Sequence, residues 1–165
     1  MTEFTYLFAE VTLEDVDPFL RKVKELVHSL GVELQVVDQK VVASEVHLMS
    51  ATAKAHRAFQ NQTAAARSVG LETLLYLTGE RQIADALRAG GVKTGARKVV
   101  VLAYGKVDWD PIARALKLRV VPQPPAPGRD RLIELGFTED QLKSVIGPLE
   151  DLLLERAALV DLTKG

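Results

Sequence analysis

The chain has 165 residues, of which 47% are apolar and 26% charged, with a formal net charge of −1. These values are typical of one soluble globular domain that buries roughly 70% of its unfolded surface. The absence of cysteine excludes disulfides, thiolate metal sites and cysteine nucleophiles. No apolar run approaches the ~18 residues that span a membrane, and acids stand near the N-terminus where a signal peptide is basic. We therefore expect a cytoplasmic protein with no membrane partner.

The first part of the chain predicts strands around one helix. Residues 4–11 are aromatic and β-branched, as in a strand. An amphipathic helix is predicted to follow, capped by Asp17 and ended by Gly31. Residues 33–37 and 40–43 then predict a short hairpin.

The middle of the chain predicts three helices and a buried strand. Ser44 is a candidate cap for a helix over residues 46–60, which has an alanine-rich face. Further helices are predicted near 70–78 and 81–89. The six apolar residues of 99–104 predict a central strand that is covered on both faces.

The last third of the chain predicts mainly helices. A helix over 110–117 and a short strand over 118–121 precede a Pro-rich linker, 122–128. A helical segment, 129–164, follows, with a capping box that begins at Thr138. The whole pattern predicts an α/β chain of the α+β sandwich type, a single domain with a small mixed β-sheet packed against several helices.

The charge is unevenly distributed. Residues 54–98 carry eight basic and three acidic side chains, a net charge of +5, whereas residues 1–53 carry four basic and nine acidic ones, a net charge of −5. A local basic patch can bind phosphates although the whole protein is nearly neutral. Uneven charge on helix surfaces is the plainer interpretation, and both remain open.

The basic segment contains a helix–helix junction that predicts a binding site. A Thr-Gly stop is followed by Glu80, Arg81, Gln82 and Ile83, which we expect to begin the next helix. Helix N-termini attract anions because their first N–H groups lack intrahelical partners. Tyr76, one turn earlier, is either a core residue or a platform for a base.

No catalytic or metal-binding pattern stands out. The three histidines, His28, His47 and His56, fall on different segments. Asp108 and Asp110 flank Trp109 and could pair as acid and base, but Asp110 fits a helix cap better and Trp109 a packing residue. We therefore expect no enzyme activity, metal or cofactor.

The final helix, PLEDLLLERAALVDL, has more apolar residues than one buried face needs. Either the helix lies deep between other helices, or part of its surface binds a partner.

Four segments together resemble a known family. They read HLMSATAKAHRAF, LETLLYLTGERQIADAL, KVVVLAYG and LLERAALVDL, and the resemblance covers about residues 41–162. They resemble the PRPK-binding protein family, the CGI-type kinase-binding subunit of the KEOPS complex. The linker sequence PQPPAPG departs from the family pattern.

The resemblance implies a non-catalytic subunit of a tRNA-modification complex. KEOPS makes threonylcarbamoyladenosine in tRNA, and this subunit binds the small atypical kinase and, in archaea, the single-stranded 3′ CCA end of tRNA. Arg81, Gln82 and Ile83 match the family's RQI and are the implied RNA-facing residues. Further tRNA candidates are Tyr76, Lys54, Arg57 and Arg67, and the ending implies a kinase interface formed by Leu149, Leu152, Leu153 and Leu159.

Two other functions compete with this hypothesis. The junction could hold a small anion or metabolite, which needs an enclosed pocket rather than an open basic surface. The chain could also be a scaffold that binds only protein.

Overall fold

A computed structural model describes residues 3–124, 128–145 and 151–163. The chain divides into two compact units. The first, called here the sheet unit, takes in the described residues up to Gln39 together with Gly91–Gln123. The second, the helical unit, takes in Lys40–Gly90 and the described residues from Pro124 onward. The single-domain assignment and the linker at 122–128, whose residues 125–127 lie outside the described part, stay predictions.

The described residues of the sheet unit form four strands and two helices. The strands are β1 (Thr5–Leu13), β2 (Glu33–Asp38), β3 (Gly95–Tyr104) and β4 (Arg119–Val120), in the order β2-β3-β1-β4. Helices α1 (Val16–Leu30) and α5 (Trp109–Ala115) complete the unit. All three strand pairings are antiparallel, so the prediction of a mixed sheet is wrong. The predicted α+β class is confirmed.

One face of the sheet forms the core of this unit. Alternate residues of β1 and β3, such as Val11 and Val101, share that face because strand side chains alternate. The buried stripe of α1, which includes Phe19 and Val23, packs against them. Strand β3 lies between β2 and β1 and is buried throughout Val99–Tyr104, which confirms the predicted central strand.

The sequence predicts the C-terminal end of α1 correctly but places its N-terminal cap two residues too late. The helix is capped by Asp15, whose side chain accepts from the Asp17 N–H at 3.2 Å, so Asp17 itself lies in the first turn. Gly31 ends the helix in the left-handed conformation, as predicted.

The predicted hairpin is wrong. Strand β2 ends at Asp38 and is followed by a short 3₁₀ turn, Gln39–Val41, instead of a second strand. Val41 is buried in the helical unit, where its side chain lies against Gly90. The apolar residues after β2 therefore serve a helical core.

The helical unit is formed by α2 (Glu45–Gln60), α3 (Val69–Thr78), α4 (Ile83–Gly90), α6 (Arg129–Glu134), α7 (Glu139–Ser144) and α8 (Asp151–Thr163). Helix α3 contacts α2, α4 and α8, and is buried continuously from Glu72 to Leu77. A helix that is apolar on all sides needs such cover. The Ser44 cap of α2 and the capping box of Thr138 are both confirmed.

His47 on α2 is a buried polar residue of this unit. Its Nδ1 accepts a hydrogen bond from the Ala43 N–H at 3.2 Å, which leaves the imidazole neutral at that nitrogen. Burial, together with the nearby positive charges of Arg156 and Arg131, lowers the pKa of His47 to about 3. A hydrogen bond with the Leu77 backbone acts in the opposite direction but is outweighed.

The pKa of His47 predicts acid sensitivity. Because the unfolded chain binds a proton at this residue near pH 6.5 and the folded chain only near pH 3, the free energy of unfolding should fall as pH drops between these values. The slope from this group is at most about 1.4 kcal/mol per pH unit. Urea unfolding of the wild type and His47→Asn from pH 7 to 4 measures it. Equal slopes in the two proteins would contradict the assignment, since their carboxylates are the same.

A pair of leucines on α8 tests the core of the helical unit. Leu153 is 0% exposed and packs with Leu132 and Phe137, whereas Leu159 is 51% exposed. Leu153→Ala should cost about 2–5 kcal/mol of unfolding free energy, because it leaves a cavity. Leu159→Ala should change it by about 0.5 kcal/mol or less. Chemical denaturation measures both, and equal costs would mean that α8 is rotated about its axis.

Candidate functional site

The junction between α3 and α4 has a well-defined backbone. Gly79 ends α3 in the left-handed conformation at φ 73°, and its N–H donates to the Leu75 carbonyl at 2.9 Å. The N–H of Glu80 donates to Thr78 Oγ1 at 3.3 Å. The Thr-Gly stop is therefore confirmed, and the threonine hydroxyl helps to hold the turn that follows it.

The next helix begins later than the sequence predicts. Helix α4 starts at Ile83, and the Gln82 carbonyl accepts from the Ala86 N–H at 3.0 Å. Gln82 is thus the residue that flanks the helix, and Arg81 lies in the connection. The predicted start at residues 80–81 is wrong because Glu80 continues the turn after Gly79.

The junction exposes the predicted RNA-facing side chains. Arg81 and Gln82 are exposed, and Ile83 is half-buried. In the part of the chain that the structure describes, Arg81 forms no hydrogen bond or ion pair. The first N–H groups of α4 add partial positive charge by helix geometry. The three residues therefore lie together, as an exposed cation and amide next to an aliphatic side chain.

Below the junction, Gly79 rests on α8. A Cβ atom at Gly79 would lie 2.7 Å from Cδ and 2.8 Å from Cγ of Arg156. Real Cβ atoms essentially never come this close to a neighbour, so any larger residue at this position would have to displace the turn or the arginine stem. The positive φ favours glycine independently.

Arg156 is itself held by several contacts. Its Nη1 donates to the Leu135 carbonyl at 2.6 Å, and its guanidinium carbon lies 4.6 Å from the centre of the Phe137 ring. Burial lowers the pKa of Arg156, and the negative charge of Glu80 opposes that effect. Glu80 therefore compensates part of the cost of burying this cation.

A cleft of about 250 Å³ lies beside the junction within the helical unit. It carries three basic and two acidic side chains, so its charges nearly balance. Its walls are formed by Lys40, Val41, Thr78, Glu80, Ala89, Arg131, Glu134, Leu135 and Arg156. Arg131 pairs with Glu134 at 3.3 Å, which leaves a small excess of positive charge.

The other basic candidates lie apart from the junction. Lys54 and Arg57 are three residues apart on α2 and share its outer side, half-exposed and exposed respectively. Arg67 is exposed and precedes Ser68, the cap of α3. Because α3 has ten residues, about 15 Å of helix separates Arg67 from Arg81. The structure thus places Arg67 at the opposite end of α3 from Arg81, and Lys54 and Arg57 on a different helix.

The loop that carries Arg67 is fixed by a buried acid. Glu72 is 0% exposed, and its carboxylate accepts from the N–H groups of Ala65 at 3.0 Å and Ala66 at 2.8 Å. Two charge-assisted hydrogen bonds offset part of the cost of burying the carboxylate. They hold the segment before α3 against the helix.

The structure corrects the assignment of Tyr76. Its side chain is 0% exposed and its hydroxyl donates to the Asp161 carboxylate of α8. A buried ring offers no face to a base, so Tyr76 is a core residue that joins α3 to α8.

Two of the predicted kinase-facing leucines are also corrected. Leu152 and Leu153 are buried in the core of the helical unit and have almost no surface for a partner. Leu149 lies outside the described residues. Leu159 is exposed, next to the exposed Ala158, and remains a candidate contact.

Sequence reasoning missed three buried or half-buried polar residues of the helical unit, Arg156, Glu72 and His47. A signal was available for two of them. Glu72 and Arg156 interrupt apolar stretches, LETLLYL and LLERAAL, and charged residues in such positions are rarely buried unless paired. The partners, however, are backbone groups and a ring that no local pattern identifies.

In the described residues, no helix is both long and apolar enough to cross a membrane, and no three His, Asp or Glu side chains come together as a metal site requires.

Comparison with known proteins identifies the family. No curated protein matches the chain. A family model described as kinase binding protein CGI-121 matches residues 15–158, which is most of the chain. The match spans β2, β3 and the α3–α4 junction, as well as most of α8. The chain therefore belongs to the CGI-121 family of kinase binding proteins.

Proposed function

We propose that this protein is a non-catalytic subunit of the KEOPS tRNA-modification complex, where it binds the atypical kinase and recruits tRNA through the single-stranded 3′ CCA end. The observation that carries the kinase part is membership in a kinase-binding family. For the RNA part, it is the exposed group of Arg81, Gln82 and Ile83 at the start of α4. The complex acts in threonylcarbamoyladenosine synthesis.

The chemistry of the junction suits contact with a single strand. A guanidinium can form two hydrogen bonds with a phosphate or stack on a base. The Gln82 amide can bind a base edge, and Ile83 can pack against an exposed base. None of these groups is a nucleophile or a proton-transfer residue, which supports binding rather than catalysis. Glu80 interacts electrostatically with Arg156 and weakens the local positive potential.

The second basic group suits a different part of the same RNA. Arg67 lies at the other end of α3 from the junction, and Lys54 and Arg57 lie on α2. Phosphate contacts to such residues add affinity without sequence preference. We place the tRNA end at the junction and a phosphate-backbone contact at this second group.

The cleft beside the junction supports a second candidate function. A concave site of about 250 Å³ with three cations could hold a small anion, in keeping with a metabolite-binding domain. However, the charges of the cleft nearly balance and its volume is small, so it suits an anionic ligand less well than the open junction suits RNA. Competition by inorganic phosphate, tested at constant ionic strength, separates the two functions.

Arg81→Glu tests the RNA site. The change replaces an attractive charge with a repulsive one, so affinity for tRNA should fall about tenfold to a hundredfold, the value of one hydrogen bond to a charged group. Unfolding free energy should change little, because Arg81 is exposed. Fluorescence anisotropy at one fixed salt concentration measures the affinity.

Two controls make this test specific. Lys106→Glu reverses an exposed charge in the sheet unit and should affect affinity much less, because salt screens non-contacting charges. Wild-type affinity should also fall when the CCA nucleotides are removed. Should Arg81→Glu bind intact tRNA normally, or should removal of CCA have no effect, the protein-only scaffold becomes the better hypothesis.

Leu159→Glu tests the kinase surface. Leu159 is exposed in the isolated chain, so the variant should fold, but a carboxylate buried at an interface should weaken kinase binding at least tenfold. Leu20→Glu on α1 is the matched control, since Leu20 is also an exposed leucine. Titration calorimetry with the purified kinase measures binding, and circular dichroism checks the fold. Loss of binding in the Leu20 variant alone would move the interface to α1.

A further inference from the structure

Arg156 is a charged residue in the middle of α8 that the kinase and RNA surfaces leave unexplained. It belongs to the ending LLERAALVDL, yet it is half-buried and its side chain packs against other segments of the helical unit instead of extending into solvent. A buried arginine is costly unless its donors and its charge are used. The contacts of Arg156 therefore indicate what it does.

The guanidinium is anchored from two directions. One nitrogen donates to the Leu135 carbonyl at the end of α6, and the guanidinium carbon sits over the ring of Phe137. These contacts fix the far end of the side chain. The aliphatic stem between that end and α8 then has little freedom to move.

The stem is the surface on which the α3–α4 junction rests. The turn at Gly79 approaches so closely that no larger residue fits against Cγ and Cδ of Arg156. The next residue, Glu80, interacts electrostatically with the guanidinium. Steric contact and charge therefore both act on the two residues that precede Arg81.

We propose that Arg156 is the positioning residue of the RNA-binding junction. It holds the Gly79–Glu80 turn so that Arg81, Gln82 and Ile83 are presented in one arrangement before RNA arrives. The inference rests on the proposed function of the junction. It adds that affinity for the tRNA end depends on a residue that contacts the protein and not the RNA, because a preformed site avoids ordering costs on binding.

The test compares Arg156→Lys and Arg156→Met for binding to a single-stranded RNA that ends in CCA, over a range of salt concentrations. Lysine keeps the charge but loses the planar group and its donor geometry. Both variants should bind about tenfold more weakly, the cost of ordering one or two additional groups. The slope of log affinity against log salt should stay at the wild-type value. A lysine variant with full affinity, together with a methionine variant whose slope falls by about one, would show that Arg156 contacts a phosphate, and would overturn the proposal.

A second measurement needs no RNA. The amides of Gly79 and Glu80 are hydrogen-bonded in the turn, so their hydrogen exchange reports its opening. Exchange at these amides should accelerate in Arg156→Lys relative to the rest of α3. Leu48→Ala controls for general loss of stability, because Leu48 is a fully buried residue on α2 of the same unit, and the contacts of Arg156 described above do not involve it. Acceleration that is equal in the two variants overturns the positioning role.

The reciprocal variant keeps the proposal testable if the Arg156 variants fail to fold. Gly79→Ala acts on the same contact from the other side and should also weaken RNA binding. Where both single variants fold, their effects on affinity should not add in the double variant, because they disrupt one contact. Additive effects would overturn the proposal. If the wild type binds no RNA at all, the proposed function fails, and the exchange experiment still decides the role of Arg156.

Discussion

The close approach of the Gly79 turn to the stem of Arg156 is the contact on which the candidate site depends. It places the turn that ends α3 directly against the Arg156 side chain of α8. The Arg156 guanidinium beyond that stem is half-buried, and it is stabilised there by the Leu135 carbonyl, the Phe137 ring and the negative charge of Glu80. The exposed residues that follow depend on this contact for their arrangement, although they do not take part in it.

Helix α3 connects this contact to the rest of the helical unit. It is buried almost all round, so its position is fixed by α2, α4 and α8 together. Two of its buried polar side chains bond to neighbouring segments: Glu72 holds the preceding loop and Tyr76 binds Asp161 of α8. A rigid helix with a basic group toward each end keeps those groups at a fixed separation. That geometry suits a ligand with several phosphates better than a small anion.

Features that depend on a few neighbouring residues could be predicted from the sequence. The Gly79 stop, the Ser44 cap and the antiparallel sheet's central strand at Val99–Tyr104 follow from local rules on glycine, capping and apolar runs. The start of α4 could not be predicted as well, because the turn after Gly79 is set by the Thr78 hydroxyl and by α8. The hairpin failed for a related reason, since the valines after β2 fit a strand and a buried turn equally well.

For candidate residues on the apolar helices, the sequence does not predict which side chains are buried. In α3 and α8 apolar side chains point in nearly every direction, so periodicity does not say which of them face a neighbouring helix. Tyr76, Leu152 and Leu153 consequently looked available for ligands and are in fact buried. Only the packing of the whole unit distinguishes them from Leu159.

The same helix, α8, carries both the residue that supports the junction and the exposed leucine. Arg156 and Leu159 are three residues apart, about 60° around the axis, so the half-buried arginine and the exposed leucine are neighbours on one side of the helix. A partner that docks on Leu159 would therefore bind the helix on which Gly79 rests. If the kinase and RNA proposals both hold, the two binding events are joined by a single rigid turn, and linkage requires that any effect of one on the affinity of the other be reciprocal. A kinase-binding protein can in this way influence where and when its partners meet.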